Sequence, residues 1–433
     1  MFKFQSLDKT NFNNSEKIGH LSFYLGIFLL PSAFSIAIFF LLTSLLTILY
    51  EKLKSKENIF LDKWNIIFLV CSLFLILTST YKFLDQGSIN NLKGQGYLEY
   101  VGILNWIPLF FVFLGFQKYL SSSLLRKRFS QLLIAGSMPV FFSVICQLFF
   151  NWENKRETLF GLIIWYQKNI AGYTGITGLF NNPNYLGSWL IIIWPFCIAM
   201  IFFYKRLELK RLISIAIIIL VSIFIILTAS RAAWICLFIA IPFVNGKKFS
   251  NWFLKILLFG LPISMVTYFL IIGERINNIL QKIILPGIWI EFTRINLSTR
   301  FAIWDYAVDL IKRNPFFGSG SNSFSSLYYS KSGVWQGHAH NLPLELFVSF
   351  GLIIGFMILI PITFLTIKSS LIVFSDFKKR LENKIIDRAW VLSLILLILM
   401  HLVDIQYYDG RISLIGWTLL AGAKNIIAEY DKS

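Results

Sequence analysis

Two of the four histidines of this 433-residue chain, His338 and His340, lie two positions apart in the segment GVWQGHAHNLPLEL, residues 333–346. A neutral imidazole can take a proton from a hydroxyl group, or donate and accept hydrogen bonds at the same time. Asn341 is a good helix N-cap, and Pro343 is tolerated in a first helical turn. The sequence therefore predicts that His340 stands just before a helix N-terminus, where it is a candidate general base.

Other interpretations of these histidines remain open. His-x-His is also a metal-ligand spacing, but carboxylates would have to complete a zinc site, because His20 and His401 lie elsewhere in the chain. Interfacial histidines can also make purely structural hydrogen bonds. Asp404 or Asp409 could orient His340 and hold its tautomer, or Asp404 could pair with His401 one helical turn before it. No metal site is predicted.

Two arginines are candidate ligands for an anion, because the planar guanidinium suits phosphate oxygens. Arg231 in LTASRAAWI is flanked by small residues that leave space for an anionic group, although a snorkelling anchor is an equally good interpretation. Arg300 is predicted in a first helical turn, which is unfavourable for a cation unless an anion or an acid such as Asp305 lies there too. The segment GSGSN at 318–322 lacks the pattern of a nucleotide loop, so no cofactor is predicted.

The composition is that of a membrane protein. The chain is 56% hydrophobic and 14% charged, whereas soluble proteins contain about 25% charged residues. Its formal charge of +18 is better explained by basic loops facing anionic membrane lipids than by nucleic acid. The four cysteines lie in apolar runs without CxxC spacing, which indicates core residues.

Two apolar stretches decide the predicted topology. Residues 20–50, with Pro31, and residues 212–244, with Arg231, would each be roughly 46 to 50 Å long as a single helix, too long for one crossing. If each is a pair of short helices and the N-terminus is cytoplasmic, the inside loops hold twenty lysines and arginines and the short outside loops six. Eight other apolar segments each predict one span, near 64–84, 101–120, 129–150, 184–204, 252–273, 341–367, 388–404 and 411–428. We therefore predict an all-α polytopic membrane protein, one integral-membrane domain over 1–433, with about twelve transmembrane helices.

This topology brings the unusual residues to one side of the membrane. The outer face receives Arg231, the NNPNYLG turn at 181–187 with Asn184, both histidines, and DIQYYDGR at 404–411. A large loop, 274–340, lies between predicted transmembrane helices 9 and 10 and is expected to be partly helical, because its apolar and polar residues alternate as in surface helices.

The order of four segments resembles the O-antigen ligase and polymerase superfamily of bacterial envelope enzymes. These segments are TGLFNNPNYLGSWL, LTASRAAWI, STRFAIWDYAVDLIKRNPFFGSGSNSF and GHAHNLPLELFVSFGLIIG, within about 178–355. The resemblance implies a metal-independent glycosyltransferase of lipopolysaccharide or other polysaccharide biosynthesis. Its donor would be a glycan on a polyprenyl diphosphate such as undecaprenyl diphosphate, and its acceptor a glycan or lipid A core. It also implies the bacterial inner membrane, with the active face in the periplasm.

Residue roles follow from the same resemblance. His340 would activate the acceptor hydroxyl, and Arg231 and Arg300 would bind the donor diphosphate. The remaining substrate-binding candidates are His338, Asn341 and Asn184. His340-Asn341 and Gly351 fit the spacing of the ligase pattern, but position 354 is isoleucine and the next glycine is Gly355.

The subtype and a different class stay open as alternatives. The acceptor could be a lipid core, a second lipid-linked glycan in a polymerase, or a protein hydroxyl. An anion transporter, for example for inorganic carbon, is the alternative from another class, since an anion path past Arg231 is conceivable. The gathering of polar residues at one face favours surface chemistry over passage through the membrane.

Overall fold

The computed structural model describes residues 13–55, 62–85, 97–152, 155–165, 167, 175–204, 208–244, 297–375 and 381–431, and they are mostly helical. The helices are α1 (Asn14–Leu29), α2 (Phe34–Ser55), α3 (Lys63–Asp85), α4 (Tyr97–Ile103), α5 (Ile107–Phe116), α6 (Ser123–Gly136), α7 (Met138–Phe149), α8 (Pro183–Phe203), α9 (Leu209–Leu227), α10 (Arg231–Val244), α11 (Leu297–Arg313), α12 (Ser323–Ser332), α13 (Leu342–Ser375), α14 (Leu381–Val403) and α15 (Gly410–Tyr430). A 3₁₀ turn at Lys118–Leu120 follows α5, and an antiparallel hairpin of β1 (Arg156–Thr158) and β2 (Ile163–Trp165), which the sequence analysis did not anticipate, follows α7.

Seven helical stretches within these ranges are long and apolar enough to cross a membrane. They are Phe34–Ser55, Lys63–Leu84, Ser123–Phe149, Pro183–Phe203, Leu209–Leu227, Leu342–Phe374 and Ile385–Val403. The chain is therefore a multi-pass α-helical membrane protein. The count of twelve stays a prediction, and the predicted ninth helix at 252–273 lies outside the described residues.

Both overlong apolar stretches are broken into two helices, as predicted. The first break separates α1 from α2 at a turn that contains Pro31. The second separates α9 from α10 at residues 228–230, where Ala229 has a left-handed backbone with φ 55°. The indole N–H of Trp234 lies 3.1 Å from each of two carbonyl oxygens in the last turn of α9. The same two oxygens also accept the hydroxyl of Thr228 and the N–H of Ala229, so the carbonyls at this helix end are bound by the residues of the break itself.

Two other predicted spans are interrupted where continuous helices were expected. Within 101–120, α4 ends before α5 begins, and Pro108 occupies the first turn of α5. Within 129–150, α6 and α7 meet at Ser137, and Pro139 occupies the first turn of α7. Proline has no backbone N–H for a hydrogen bond to the preceding turn and suits the first turn of a helix, so each of these prolines lies where a new helix begins.

The described part of the predicted outer loop is helical. Helices α11 and α12 pack on the beginning of α13 and form a small apolar core separate from that of the main bundle. Its buried members are Ile303, Tyr306, Ala307, Leu310, Phe324, Tyr328, Ala339 and Val348. The first part of the loop, 274–296, lies outside the described residues.

Ion pairs bind the helices together near the beginning of α14. Arg126 is completely buried, and its guanidinium donates to Asp387 of α14 at 2.8 Å and to Glu429 of α15 at 2.7 Å. Lys118 pairs with one carboxylate from α1 and one from α2 at 2.8 and 2.6 Å. Both cations are among the twenty basic residues counted in inside loops, where they were expected to face anionic lipids. That expectation is wrong for Arg126, which is buried against acids of distant helices.

Helix α13 is kinked at Gly351, whose φ of 80° and ψ of 174° are not helical. The segment 315–320 packs into this kink. The N–H groups of Ser319 and Gly320 donate to carbonyls just before it at 2.6 and 3.2 Å, and the N–H of Leu352 donates back to a carbonyl of that segment at 2.8 Å. The kink thus attaches the outer-loop helices to a transmembrane helix through backbone hydrogen bonds.

We expect Gly351→Ala to disrupt this junction. A Cβ at position 351 would lie 2.1 Å from the carbonyl oxygen of Phe316, and the backbone conformation is one that only glycine adopts readily. The expected cost is about 3 kcal/mol or more, seen as a lower Tm in detergent. Gly333→Ala is the matched control, since Gly333 also has positive φ (70°) but no atom within 4 Å of its added Cβ. Equal Tm values for the two variants would contradict the role of the close approach.

Candidate active site

The turn before α13 is shaped by side chains that bind its N–H groups. The side-chain oxygen of Asn341 accepts the N–H of Leu344 at 3.0 Å, so the predicted N-cap is confirmed. Nδ1 of His338 accepts the N–H of His340 at 3.1 Å. A carboxylate oxygen of Glu345 accepts the N–H of Ala339 at 2.9 Å. His340 itself has φ 51°, an uncommon backbone for a residue with a side chain.

Asp404, the first residue after α14, joins this turn to two other elements. One carboxylate oxygen lies 2.8 Å from Nδ1 of His340 and also accepts the N–H of Ile405 at 2.9 Å. The second accepts the side-chain N–H of Asn184 in the first turn of α8 at 2.8 Å. Of the two carboxylates considered for orienting His340, the structure places Asp404 beside it.

The other carboxylate and the other histidine have different partners. Asp409 accepts hydrogen bonds from the N–H and the guanidinium of Arg411 and caps α15. His401 accepts the N–H of Gln406 at 3.4 Å. Within the described residues, neither hydrogen-bonds to His340, and the histidine that hydrogen-bonds to Asp404 is His340 and not His401.

The hydrogen bonds assign the protons of both imidazoles. A backbone N–H can only donate, so Nδ1 of His338 carries a lone pair and the proton of the neutral ring is on Nε2. An ionised carboxylate can only accept, so Nδ1 of His340 carries the proton and donates it to Asp404. The lone pair of a neutral His340 is then on Nε2. The side-chain amide of Gln336 lies 3.4 Å away with its oxygen facing Nε2, so it can hydrogen-bond to this lone pair only when the amide is turned to present its N–H.

Electrostatics support this assignment. Burial and the neighbouring His340 lower the pKa of His338 to about 4, so His338 is neutral at pH 7. Burial raises the pKa of Asp404, but the hydrogen bond and charge of His340 and the nearby His338 more than offset it, and the net pKa is below the ordinary value. A neutral His338 and an ionised Asp404 are the states that the two hydrogen bonds require.

The same three side chains could also be read as a metal site. One ligand atom each from His338, His340 and Asp404 can be chosen so that all lie within 4.8 Å of one another. However, the histidine nitrogens nearest the carboxylate, Nε2 of His338 and Nδ1 of His340, are the protonated ones. A metal ion would have to displace both protons, so the donor set is organised for hydrogen bonding.

The end of α14 also positions Asn341 and Arg300. The side-chain amide of Asn341 donates to the carbonyl of Leu402 at 2.9 Å, and the guanidinium of Arg300 in α11 donates to the carbonyl of Val403. Cations are favoured at the negative end of a helix dipole, which accounts for the position of Arg300. Arg300 is also one of the charges that lower the pKa of His338, so it lies near the histidines.

Arg231 is half-buried at the first position of α10. The preceding Ser230 packs on Gly187 of α8, where an added Cβ would lie 3.2 Å from the serine Cβ. Asn184 is one helical turn before Gly187 along α8. The structure therefore brings the beginning of α10 next to the helix end that binds Asp404.

Three residues of the site were missed by sequence analysis. Gln336 faces His340, Glu345 binds the turn before it, and the ring of Tyr408 stacks on His338 with 5.7 Å between centroids. Glu345 left a signal that could have been used, since a carboxylate in the first turn of an apolar helix is costly unless it is bound. Gln336 and Tyr408 left none, because their contacts depend on the fold.

Comparisons with known proteins agree with the sequence segments. Residues 215–360 match the family model described as O-antigen ligase. The resemblance to the O-antigen ligase superfamily is thereby confirmed. The matched region includes Arg231, Arg300 and the turn with both histidines. The chain is also similar to an uncharacterized protein of Haemophilus influenzae, with 26% identity over 322 residues that cover 62% of this chain and 78% of the relative.

Glu345 provides a test of how the turn is held. We expect Glu345→Ala to free the N–H of Ala339, relax the left-handed His340 and lower transfer activity at least tenfold, because small misplacements of reacting groups are costly. Glu345→Gln keeps an acceptor oxygen and should retain most activity. The measurement is the transfer rate of purified protein, with Tm alongside. If the glutamine variant is as inactive as the alanine variant, the charge of Glu345 is needed and the hydrogen bond alone does not explain its role.

Proposed function

We propose that this protein transfers a glycan from a polyprenyl diphosphate to an acceptor hydroxyl, as an O-antigen ligase-like glycosyltransferase. The observation that carries the proposal is the 2.8 Å contact between His340 Nδ1 and Asp404, because it leaves Nε2 as a base. The match of residues 215–360 to the O-antigen ligase family model supports the class of substrate. The residue roles are inferences from geometry and chemistry.

In the proposed reaction, Nε2 of His340 takes the proton of the acceptor hydroxyl as its oxygen attacks C1 of the first sugar of the donor. The bond between C1 and the diphosphate oxygen breaks, and the electron pair leaves with the polyprenyl diphosphate. The imidazolium that forms is stabilised by the ionised Asp404, which also fixes the tautomer. We therefore assign Asp404 a positioning role and His340 the proton transfer.

The departing diphosphate needs compensation of its negative charge, and we assign this to Arg231 and Arg300. Guanidinium groups can bind phosphate oxygens through two parallel hydrogen bonds. Arg300 is anchored near the histidines through the carbonyl of Val403, and Arg231 begins the helix beside Asn184. His338, Asn341 and Asn184 are the remaining residues that we assign to substrate binding, because each hydrogen-bonds to the histidine turn or to the end of α14.

The acceptor distinguishes a ligase from a polymerase of the same superfamily, and both would use this site. Transfer to lipid A core would make the protein a ligase, and transfer to a second lipid-linked glycan would make it a polymerase. We place the reaction at the periplasmic face of the bacterial inner membrane, since the predicted charge asymmetry puts the basic loops on the other side. The anion transporter remains the alternative of a different class.

Replacement of His340 tests the base. We expect His340→Ala to reduce transfer about 100-fold or more, because general base catalysis contributes roughly that factor, and Asp404→Asn to reduce it less, because the base remains. The assay follows movement of labelled glycan from lipid-linked donor extracted from the source cells. Asp309→Asn, an exposed carboxylate of α11 that pairs with Arg313, is the matched control and should be unaffected. Near-normal turnover by His340→Ala would refute the base assignment.

Replacement of the arginines by lysine tests the clamp on the diphosphate. Lysine keeps the charge but cannot make two parallel hydrogen bonds. Arg231→Lys and Arg300→Lys should therefore each raise KM for the donor or lower kcat, so that kcat/KM of each variant falls roughly tenfold or more. Arg313→Lys, in the same helix as Arg300 but paired with Asp309, is the control. The assignment fails if all three variants behave like the unmodified protein.

A further inference from the structure

We propose that Trp335 and Tyr329 form a subsite that stacks a sugar ring of the glycan substrate beside His340. The proposal rests on the proposed function and names the part of the substrate that this surface binds. The side chains of Trp335 and Tyr329 are 65% and 53% exposed, and their ring centroids are 6.2 Å apart at an interplanar angle of 59°. Two aromatic rings thus form a tilted surface outside both apolar cores.

The setting of this pair is polar, which separates it from the aromatic residues that lie at membrane interfaces. Tyr329 belongs to α12, whose sequence SFSSLYYSKS contains five serines and a lysine. Trp335 lies between that helix and the histidines, in the sequence KSGVWQGHAH at 331–340. Interfacial aromatic residues normally flank the apolar stretch of a transmembrane helix. Here the next such helix begins only at Leu342.

The pair is also next to the proposed base. Trp335 directly precedes Gln336, whose side-chain oxygen lies 3.4 Å from Nε2 of His340. Consecutive Cα atoms are about 3.8 Å apart, so the indole and the base are within reach of one short oligosaccharide. The glycines on both sides, Gly333 and Gly337, have no atom within 4 Å of an added Cβ, so the space around the segment is open.

The chemistry of this surface selects carbohydrate. A pyranose ring presents C–H groups on one face and hydroxyls around its edge, so its apolar face can pack on an aromatic ring while its hydroxyls stay hydrated. An indole is large and rigid and has little conformational entropy to lose on binding. Such stacking does not require charge, which suits a part of the glycan remote from the diphosphate. The ligand is therefore an oligosaccharide segment, either of the donor or of the acceptor.

The test is a kinetic comparison of purified protein in nanodiscs. Lipid-linked donor and acceptor glycolipid, both extracted from the source cells, are varied separately. Trp335→Ala should raise KM for one of the two about 3- to 10-fold, the value of one aromatic contact, and change kcat less than about twofold. Trp335→Phe should recover most of the loss, and Tyr329→Ala should show a smaller shift. The substrate whose KM rises identifies the source of the glycan. Phe160→Ala, a fully exposed aromatic residue at the tip of the β-hairpin, is the matched control.

Binding of glycan released from the donor by mild acid gives a second readout that does not need turnover. Its affinity should fall by a similar factor in Trp335→Ala and not in Phe160→Ala. If Trp335→Ala and Phe160→Ala have equal transfer kinetics and equal glycan affinity, the subsite is overturned. A nitroxide spin label attached at position 335 gives an independent check, and a label found buried among the lipid acyl chains would also overturn the subsite. Unchanged activity of the His340→Ala variant would instead contradict the proposed function. The subsite would then still be decided by the glycan affinity of the Trp335→Ala variant.

Discussion

A single buried carboxylate holds the candidate site together. The side chain of Asp404 is 7% exposed, and it accepts hydrogen bonds from His340, from Asn184 and from the next backbone N–H. Removing an ionised carboxylate from water costs several kcal/mol, and only well-placed donors offset that cost. Three elements therefore share one partner: the turn before α13, the first turn of α8, and the loop after α14. None can shift without leaving Asp404 short of a donor.

Breaks in the transmembrane helices make this convergence possible. A helix that runs straight through the bilayer gives no free backbone at its middle, and a broken one must have its N–H and C=O groups bound elsewhere. The structure meets this requirement twice. The indole of Trp234 binds the carbonyls at the end of α9, and the segment 315–320 binds those before Gly351. The first break places Arg231 at a helix start, and the second fixes α12 and the histidine turn to α13.

The sequence allowed some of these features to be predicted because they depend on local chemistry. Pro31 and the charge of Arg231 indicated two breaks, and Asn341 indicated a helix start. The position of Asp404 beside His340 could be narrowed only to one of two carboxylates, since both lie in the same short loop. Such choices depend on which side chain points toward a distant turn, and spacing within one sequence does not contain that information.

Other features depend on contacts between residues far apart in the chain. The partners of Arg126 are 261 and 303 positions away, so its charge counted as lipid-facing when it is in fact buried. Gly351 belongs to an apolar run, where a glycine usually indicates close packing between helices. Its non-helical backbone could not be predicted, because it depends on the approach of residues 315–320. Glu345 acts on an N–H six positions before it, through a turn whose shape the histidines themselves help to set.

The two ends of α14 show how the same residue types serve opposite purposes. Near its beginning, Asp387 and Glu429 surround Arg126, so the cation is neutralised and the helices are fixed together. Asp404 follows its other end, about 25 Å away at 1.5 Å per residue over seventeen residues. There Arg300 donates to a backbone carbonyl, which orients the guanidinium without an acid beside it in that contact. The acids near the beginning of α14 thus fix a cation between helices, whereas the acid after its end fixes a histidine and an asparagine.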